Sequence, residues 1–229
     1  MPTLYHYSLC PFSRRIRLAF GEIGYELELV EEKTWERRRD FLMMNPAGTL
    51  PVLIDSSDHP MAGIMAITEY FEEVATADGQ RSLIPGTIHD RAEVRRLIEW
   101  FDVKFHGEVT QLLVHQKVEK RFMDPAQGGG GPNMEAVRVA KHNIRHHLEY
   151  VGYLVERRRW IAGDEFSHAD LAAVAHLSCV DYLGDVPWEV SDQAKDWYAR
   201  VKSRPSYRPF LTETVRGIRP PDHYADLDF

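Results

Sequence analysis

Cys10 is the residue best placed for chemistry, because it follows a short apolar strand and precedes a helix. A thiolate in the first turn of a helix is stabilised by backbone amides and by the helix dipole, and the nearby Arg14 adds a positive charge. Cys10 is therefore a candidate nucleophile. The alternative is a small residue that the fold retains without using it. The second cysteine, Cys179, lies in an apolar helical run and is expected in the core.

Three histidines, at 142, 146 and 147, are the remaining candidates for chemistry, since the first two are spaced i, i+4 on a predicted helix. No cysteine or acidic residue follows at a metal-site spacing. Neighbouring arginines and a lysine disfavour a bound cation. We therefore expect a solvated helix face and no metal.

Composition limits the function further. The 229 residues are 44% apolar and 28% charged, as in an ordinary globular protein. A formal net charge of -7 argues against a general nucleic-acid or anionic-membrane binder. Two cysteines make no disulfide framework, and no apolar run approaches the roughly 20 residues that span a bilayer. The N-terminus lacks the pattern of a secretory signal, so we expect a cytoplasmic protein.

A strand–helix–strand unit must position Cys10. The segment Thr3–Tyr7 predicts a strand, and an alternating segment at 25–30 predicts a second strand, parallel to the first. The helix between them has an apolar stripe, and three arginines lie largely off it: Arg14, Arg15 and Arg17.

Further elements follow in the order strand, helix, then helices alone. Residues 49–55 predict a strand that Pro51 opens, where a cis peptide is an option. Residues 79–86 are typical of a linker. Beyond them only helices are predicted, with the Gly128–Gly131 run as a surface loop. Ser167 and Asp170 form a helix-capping signal.

Five segments, in this order, resemble those of cytosolic glutathione transferases: Ser8-x-Cys10-Pro11-Phe12-Ser13-x-Arg15-x-Arg17, Asn45-Pro46-x-Gly48-x-Leu50-Pro51-x-Leu53, Ala66-Ile67-x-x-Tyr70-Phe71, Phe166-Ser167-x-Ala169-Asp170 and Arg204-Pro205-Ser206. The resemblance covers nearly the whole chain. It implies the glutathione-transferase fold: a thioredoxin-like α/β domain at 1–78, a linker at 79–86, an all-helical domain at 87–216 and a tail at 217–229. It also implies a homodimer.

The sequence departs from that family where glutathione would bind. Members that bind glutathione open their third helix with an acidic residue and a serine, which hold the γ-glutamyl group. Here those positions are Gly63 and Ile64. A carboxylate left without such a partner costs about 1–3 kcal/mol. We therefore expect a vestigial glutathione site made of Cys10, Leu50, Pro51, Gly63 and Ile64, with no cofactor; the alternative is a Cys-type transferase that uses glutathione through Cys10.

Three segments are candidate protein-binding surfaces. Trp35 and Arg38 follow the second strand, near the rim of the expected cleft, and Trp and Arg dominate interface hot spots. A basic segment ends a long helix and carries Lys117, Lys120 and Arg121. The tail alternates apolar and acidic residues: Tyr224, Asp226, Leu227, Asp228 and Phe229. Each has a plainer alternative: a tryptophan packed under a charged helix, a helix C-terminus stabilised by basic residues, and a tail folded over its own domain.

A narrower resemblance is to a branch of this superfamily that contains alphaproteobacterial cell-division factors. It is carried by the Cys-Pro-Phe-Ser-Arg-Arg opening, the Thr-Trp-Glu-Arg segment, the missing acid–serine pair and the Tyr-Ala-Asp-Leu-Asp-Phe end. It implies a non-enzymatic dimer at the division site that binds polymers of the tubulin-like protein FtsZ and promotes constriction. The acidic tail is then expected to contact another division protein.

Overall fold

The computed structural model describes residues 1–227, so the predictions for Asp228 and Phe229 lie outside the described residues. The N-terminal part is a four-stranded sheet in the order β2-β1-β3-β4. Strand β1 pairs in parallel with β2 and antiparallel with β3, which pairs antiparallel with β4. The elements are β1 (Thr3–His6), α1 (Pro11–Glu22), β2 (Glu28–Glu31), a 3-10 turn (Thr34–Glu36), α2 (Arg39–Met44), β3 (Val52–Ile54), β4 (Pro60–Ala62) and α3 (Ile64–Ala77). This is the expected thioredoxin-like arrangement.

The sequence does not predict β4, because the predicted order has a helix directly after the strand at 49–55. The strand is only three residues long and opens with Pro60, whose missing N–H is tolerated at a sheet edge. Strands β2 and β3 are also shorter than the segments at 25–30 and 49–55 that predicted them.

Helix α1 corrects one expectation, since Arg14 and Arg15 are completely buried. Arg14 donates to the carbonyl of Ser8 and to the hydroxyl of Ser178. Arg15 forms a salt bridge with Asp102. Both guanidinium groups therefore join the N-terminal part to the helical part. A periodicity argument counts arginine as polar and cannot see the buried partners that compensate its charge.

The C-terminal part is helical. A long helix begins as α4 (Ile88–Glu99) and continues through a π-helical stretch (Trp100–Thr110), α5 (Gln111–Val114), a second π-helical stretch (His115–Glu119) and α6 (Lys120–Phe122). It is followed by α7 (Met134–Arg157), α8 (His168–Tyr182), α9 (Asp192–Lys202) and α10 (Arg208–Leu211). The glycine run lies in the connection between α6 and α7, as expected.

Helix α8 is the centre of the helical core, and each of its residues is buried. The predicted capping signal is confirmed: the Ser167 hydroxyl and the Asp170 carboxylate form a reciprocal capping box at its start. Asp170 also accepts from the indole N–H of Trp197 at 2.9 Å. Asp170 therefore has two roles: it caps the start of α8 and it connects α8 to α9.

The tail folds back onto the protein. Tyr224 is completely buried, and its ring meets that of Tyr182 edge-on at 5.0 Å. The prediction that Tyr224 contacts a partner is therefore wrong for its side chain, which is a core residue. Asp226 and Leu227 are exposed, and Leu227 lies beside α9, near Trp197. Of the two alternatives for the tail, the described part follows the folded-back one.

Candidate functional site

A cleft of about 280 Å³ lies between the sheet-containing part and the long helix of the helical part. Its first wall comes from the β1–α1 turn, the 3-10 turn and the loop before β3, with Cys10, Trp35 and Leu50 as lining residues. Its second wall comes from the π-helical stretches and α5, with His106 and Glu119. The structure thus brings together Cys10 and Trp35, which the sequence had placed near one cleft.

Cys10 is the N-cap of α1, but its environment does not activate it. The side chain is half-buried in the wall of the cleft. Burial raises the pKa of the Cys10 thiol, and hydrogen bonds from Ser13 and the helix amides only partly offset this. Arg14, expected to add a positive charge, instead holds Ser8, Ser178 and Tyr224. The expectation of a stabilised thiolate is therefore wrong, because desolvation outweighs the helix terminus.

Alkylation measures this directly. At pH 7.5 we expect Cys10 to react with iodoacetamide more slowly than N-acetylcysteine, because its raised pKa leaves less of the thiol as the reactive thiolate. Mass spectrometry of the two cysteine peptides gives each rate; the protein unfolded in urea is the control and should react like the free thiol. A Cys10 rate equal to that of N-acetylcysteine in the folded protein would contradict the assignment.

Other polar groups in the cleft are also held neutral. Burial, followed by the effect of nearby charges such as Glu31 and Glu119, raises the pKa of Tyr7. Burial, with a contribution from His176, lowers the pKa of His106 to about 4. At neutral pH the cleft therefore presents a thiol, a phenol and an imidazole in their uncharged forms. Such groups can donate and accept hydrogen bonds, but none is a charged nucleophile or acid.

The predicted glutathione-site residues separate into two groups. The Leu50–Pro51 peptide is cis, as the sequence allowed, and Leu50 lines the cleft. Gly63 is the N-cap of α3 with a φ of 96°, and no side chain caps that helix end. Neither Gly63 nor Ile64 lines the cleft. The described residues at the start of α3 thus offer neither the hydroxyl nor the carboxylate that would hold a γ-glutamyl group.

Trp35 lies at the rim, half-buried, with its ring edge-on to Tyr7 at 5.2 Å. It also lines a shallow depression that continues from the cleft towards Met123 and Gln127. Arg38 is different: it donates three hydrogen bonds to the carboxylate of Glu32, whose side chain is fully buried. Arg38 therefore compensates a buried carboxylate of its own chain, and its contact with a partner stays a prediction.

The basic residues at the end of the long helix also differ from one another in their contacts. Lys117 pairs with the buried Asp185 at 2.6 Å and donates to the Leu183 carbonyl at the end of α8. Arg121 is exposed and donates from one nitrogen to the Gly217 carbonyl in the tail. Lys120 is half-buried. Lys120 and Arg121 thus keep capacity to bind a partner, whereas the ammonium of Lys117 is used within the chain.

Two features of this rim were missed by sequence reasoning: the backbone conformation of Arg37 and the pairing of His115 with Glu119. Arg37 lines the same depression as Trp35 and adopts a left-handed conformation with a φ of 49°. His115 and Glu119 form a pair at 2.8 Å across one helical turn, facing Trp35. The i, i+4 spacing of this pair was a visible signal. The left-handed conformation of Arg37 had no such signal in the sequence.

The residues that the structure describes contain neither a helix that could span a membrane nor a cluster of metal-binding side chains. No helix within residues 1–227 is long and apolar enough to cross a bilayer. Within the same residues, no three histidine, cysteine or acidic side chains are arranged to hold a metal ion. The histidines at 142 and 146 are exposed on α7.

Comparison with known proteins agrees with this geometry. The model of the glutathione S-transferase N-terminal domain matches residues 9–74, and that of the C-terminal domain matches residues 117–205. FtsZ-localized protein A of Caulobacter vibrioides is 40% identical over 227 residues, which cover 99% of this chain and 98% of that protein. Glutathione S-transferase 2 of Saccharomyces cerevisiae is 28% identical over 218 residues, covering 88% and 85% of the two chains.

Solved structures are similar over the whole length. A glutathione S-transferase from Sinorhizobium meliloti 1021 has a TM-score of 0.94 and 49% identity, with all of both chains covered. FzlA from C. crescentus has a TM-score of 0.92 and 41% identity, covering 100% of this chain and 99% of that one. The chain therefore belongs to the glutathione S-transferase family, and it is similar along its whole length to a member named for its localisation with FtsZ.

Proposed function

We propose that this protein is a non-enzymatic dimer that binds FtsZ polymers at the division site and promotes constriction. The observation that carries the proposal is the end-to-end similarity to FtsZ-localized protein A. The cleft supports it, because its thiol is held in the neutral form and the start of α3 lacks the groups that hold glutathione. A protein with this fold can use its cleft rim for binding without using the cleft for catalysis.

The rim has the chemistry of a protein-binding site. Trp35 and Arg37 line the depression beside the cleft, and Lys120 and Arg121, which follow Glu119 in the long helix, add positive charge to a chain whose net charge is -7. A local basic patch suits an acidic polymer, and such contacts weaken as salt screens them. A symmetric dimer presents the rim twice, so it can bridge two filaments or hold one filament at two points.

Co-sedimentation with GTP-assembled FtsZ tests the proposal. The purified protein is centrifuged with polymer at about 50 and 300 mM salt, and with FtsZ kept unassembled by GDP as the control. We expect it to pellet with polymer, less at high salt, and to stay in solution with GDP. Absence from the pellet at both salt concentrations would reject filament binding.

A Cys-type thiol transferase is the second candidate, and one observation favours it. Cys10 lines the cleft together with Leu50, the residue before the cis proline, so a thiol faces a cavity that could admit a small substrate. Its raised pKa opposes this function, since little thiolate is present at neutral pH. Reduction of a glutathione mixed disulfide that is lost in Cys10→Ala would favour this candidate, and no turnover by the unaltered protein would remove it.

A further inference from the structure

The tail segment 213–224, called the strap, runs from the end of α10 to the 3-10 turn at Asp222–Tyr224. Its first contact is Glu213, whose carboxylate accepts from the hydroxyl of Ser8 at 3.0 Å and from Arg17 at 2.8 Å. Both partners belong to the β1–α1 region that also carries Cys10. The strap is therefore fastened at its start to the sheet-containing part of the protein.

The middle of the strap packs in an apolar cluster that also contains residues lining the cleft. The Tyr182 hydroxyl accepts from the Val215 amide at 2.8 Å and donates to the Ile218 carbonyl at 3.2 Å. Val215 and Ile218 pack in the same apolar cluster as Tyr7, Leu9 and Trp35. Between them, the Gly217 carbonyl accepts from Arg121 at 2.8 Å. Arg121, one of the predicted partner-binding residues, is thus in direct contact with the strap.

The end of the strap is held by a buried lock. The Tyr224 hydroxyl accepts from a terminal nitrogen of Arg14 at 3.0 Å, and that nitrogen also donates to Ser178 at 2.8 Å. Both Arg14 and Tyr224 are completely buried. Removing the tyrosine from this position would leave a buried guanidinium with fewer partners, which is costly. One arginine in α1 therefore secures the tail against α8.

We propose that the strap is a positioning element for the partner-binding rim, and that the Arg14–Tyr224 hydrogen bond sets its position. The strap accepts a hydrogen bond from Arg121 and packs in one apolar cluster with Tyr7 and Leu9, which line the cleft. This inference rests on the proposed function for its effect on filaments, but its effect on the cleft does not depend on that function. By linkage, a filament that binds the positioned rim must in turn stabilise the strap.

Tyr224→Phe tests the lock, because it removes the hydroxyl and keeps the ring in the apolar cluster. The matched control is Tyr153→Phe, at an exposed tyrosine on α7. We expect Tyr224→Phe to speed amide hydrogen exchange across residues 213–224. We also expect it to weaken FtsZ co-sedimentation and to speed alkylation of Cys10 in the cleft wall, each by about three- to tenfold, the effect of one net hydrogen bond. The control should match the unaltered protein in all three measurements.

The three measurements separate the inference from the proposed function. Faster exchange in the strap with unchanged Cys10 alkylation and unchanged co-sedimentation would overturn the positioning role. Unchanged exchange would overturn the lock. If the unaltered protein does not pellet with FtsZ, the proposed function fails, and the strap is judged by Cys10 alkylation alone. If it does pellet, polymer should slow exchange in residues 213–224, and absence of that protection would overturn the linkage.

Discussion

Trp35→Ala is expected to weaken binding to FtsZ polymer by about 2–4 kcal/mol, or roughly thirty- to a thousandfold. Trp35 is the large aromatic residue at the junction of the cleft and the depression beside it, half-buried and supported by Tyr7. An aromatic side chain that is partly exposed and rigidly held is the type of residue that dominates interface energetics. Co-sedimentation over a range of polymer concentrations gives the two dissociation constants.

Trp160→Ala is the matched control for this experiment. Trp160 is also half-buried and rests edge-on against a neighbouring ring, Phe166, at 5.0 Å, but it lies in the helical part and is not a lining residue of the cleft. It should lose packing without losing filament binding. Far-ultraviolet circular dichroism confirms that both variants are folded. Equal pelleting of Trp35→Ala and the unaltered protein would remove Trp35 from the binding surface.

The fold could be predicted because its signals are local. The turn at Cys10-Pro11, the proline at 51 and the capping pair Ser167 and Asp170 each fix a backbone conformation through neighbouring residues. Their order along the chain resembles that of cytosolic glutathione transferases, and this resemblance implied the two-part architecture. The short edge strand β4 was missed because three residues carry too little alternation to be distinguished from a turn.

The site was predicted less well because its properties depend on residues far apart in the chain. Arg38 pairs with Glu32 and Lys117 pairs with Asp185, so both cations have a partner within this chain. Only the fold shows that these two carboxylates are buried. The sequence shows that Cys10 lies at a helix terminus, where hydrogen bonds lower the pKa of a thiol. It does not show that the cleft wall buries the thiol, which raises that pKa. The sign of the pKa shift depends on the larger effect, and depth of burial has no local sequence signal.

Arg15→Leu is expected to lower the free energy of unfolding by about 3–5 kcal/mol, the cost of leaving a buried carboxylate without its cation. Arg15, in α1, forms a salt bridge with Asp102 of the helical part and donates to the Thr68 hydroxyl at 2.7 Å. The side chains of the pair are only 1% and 9% exposed. Urea unfolding at pH 7 measures the loss, and Arg91→Leu, at an exposed arginine of α4, should change it by less than about 0.5 kcal/mol.

The pH dependence identifies the charge of Asp102 as the cause. Burial alone would raise the pKa of Asp102, but Arg15, with help from His176, holds it below its usual value of 3.8. The stabilisation from this pair is therefore present above that value and is lost as the pH falls through the lower folded-state pKa. Without Arg15, burial raises the pKa of Asp102. The carboxyl group of the variant is then protonated at mildly acidic pH, and this removes the buried charge that destabilises its folded state.

The stability difference between the two proteins should therefore shrink between pH 7 and about pH 4.5. Adding Asp102→Asn to Arg15→Leu should recover part of the loss at pH 7, because the uncompensated charge is then absent. A loss that is the same at both pH values and unchanged in the double variant would mean that Arg15 acts by filling space. In that case its charge would not be what joins the two parts of the protein.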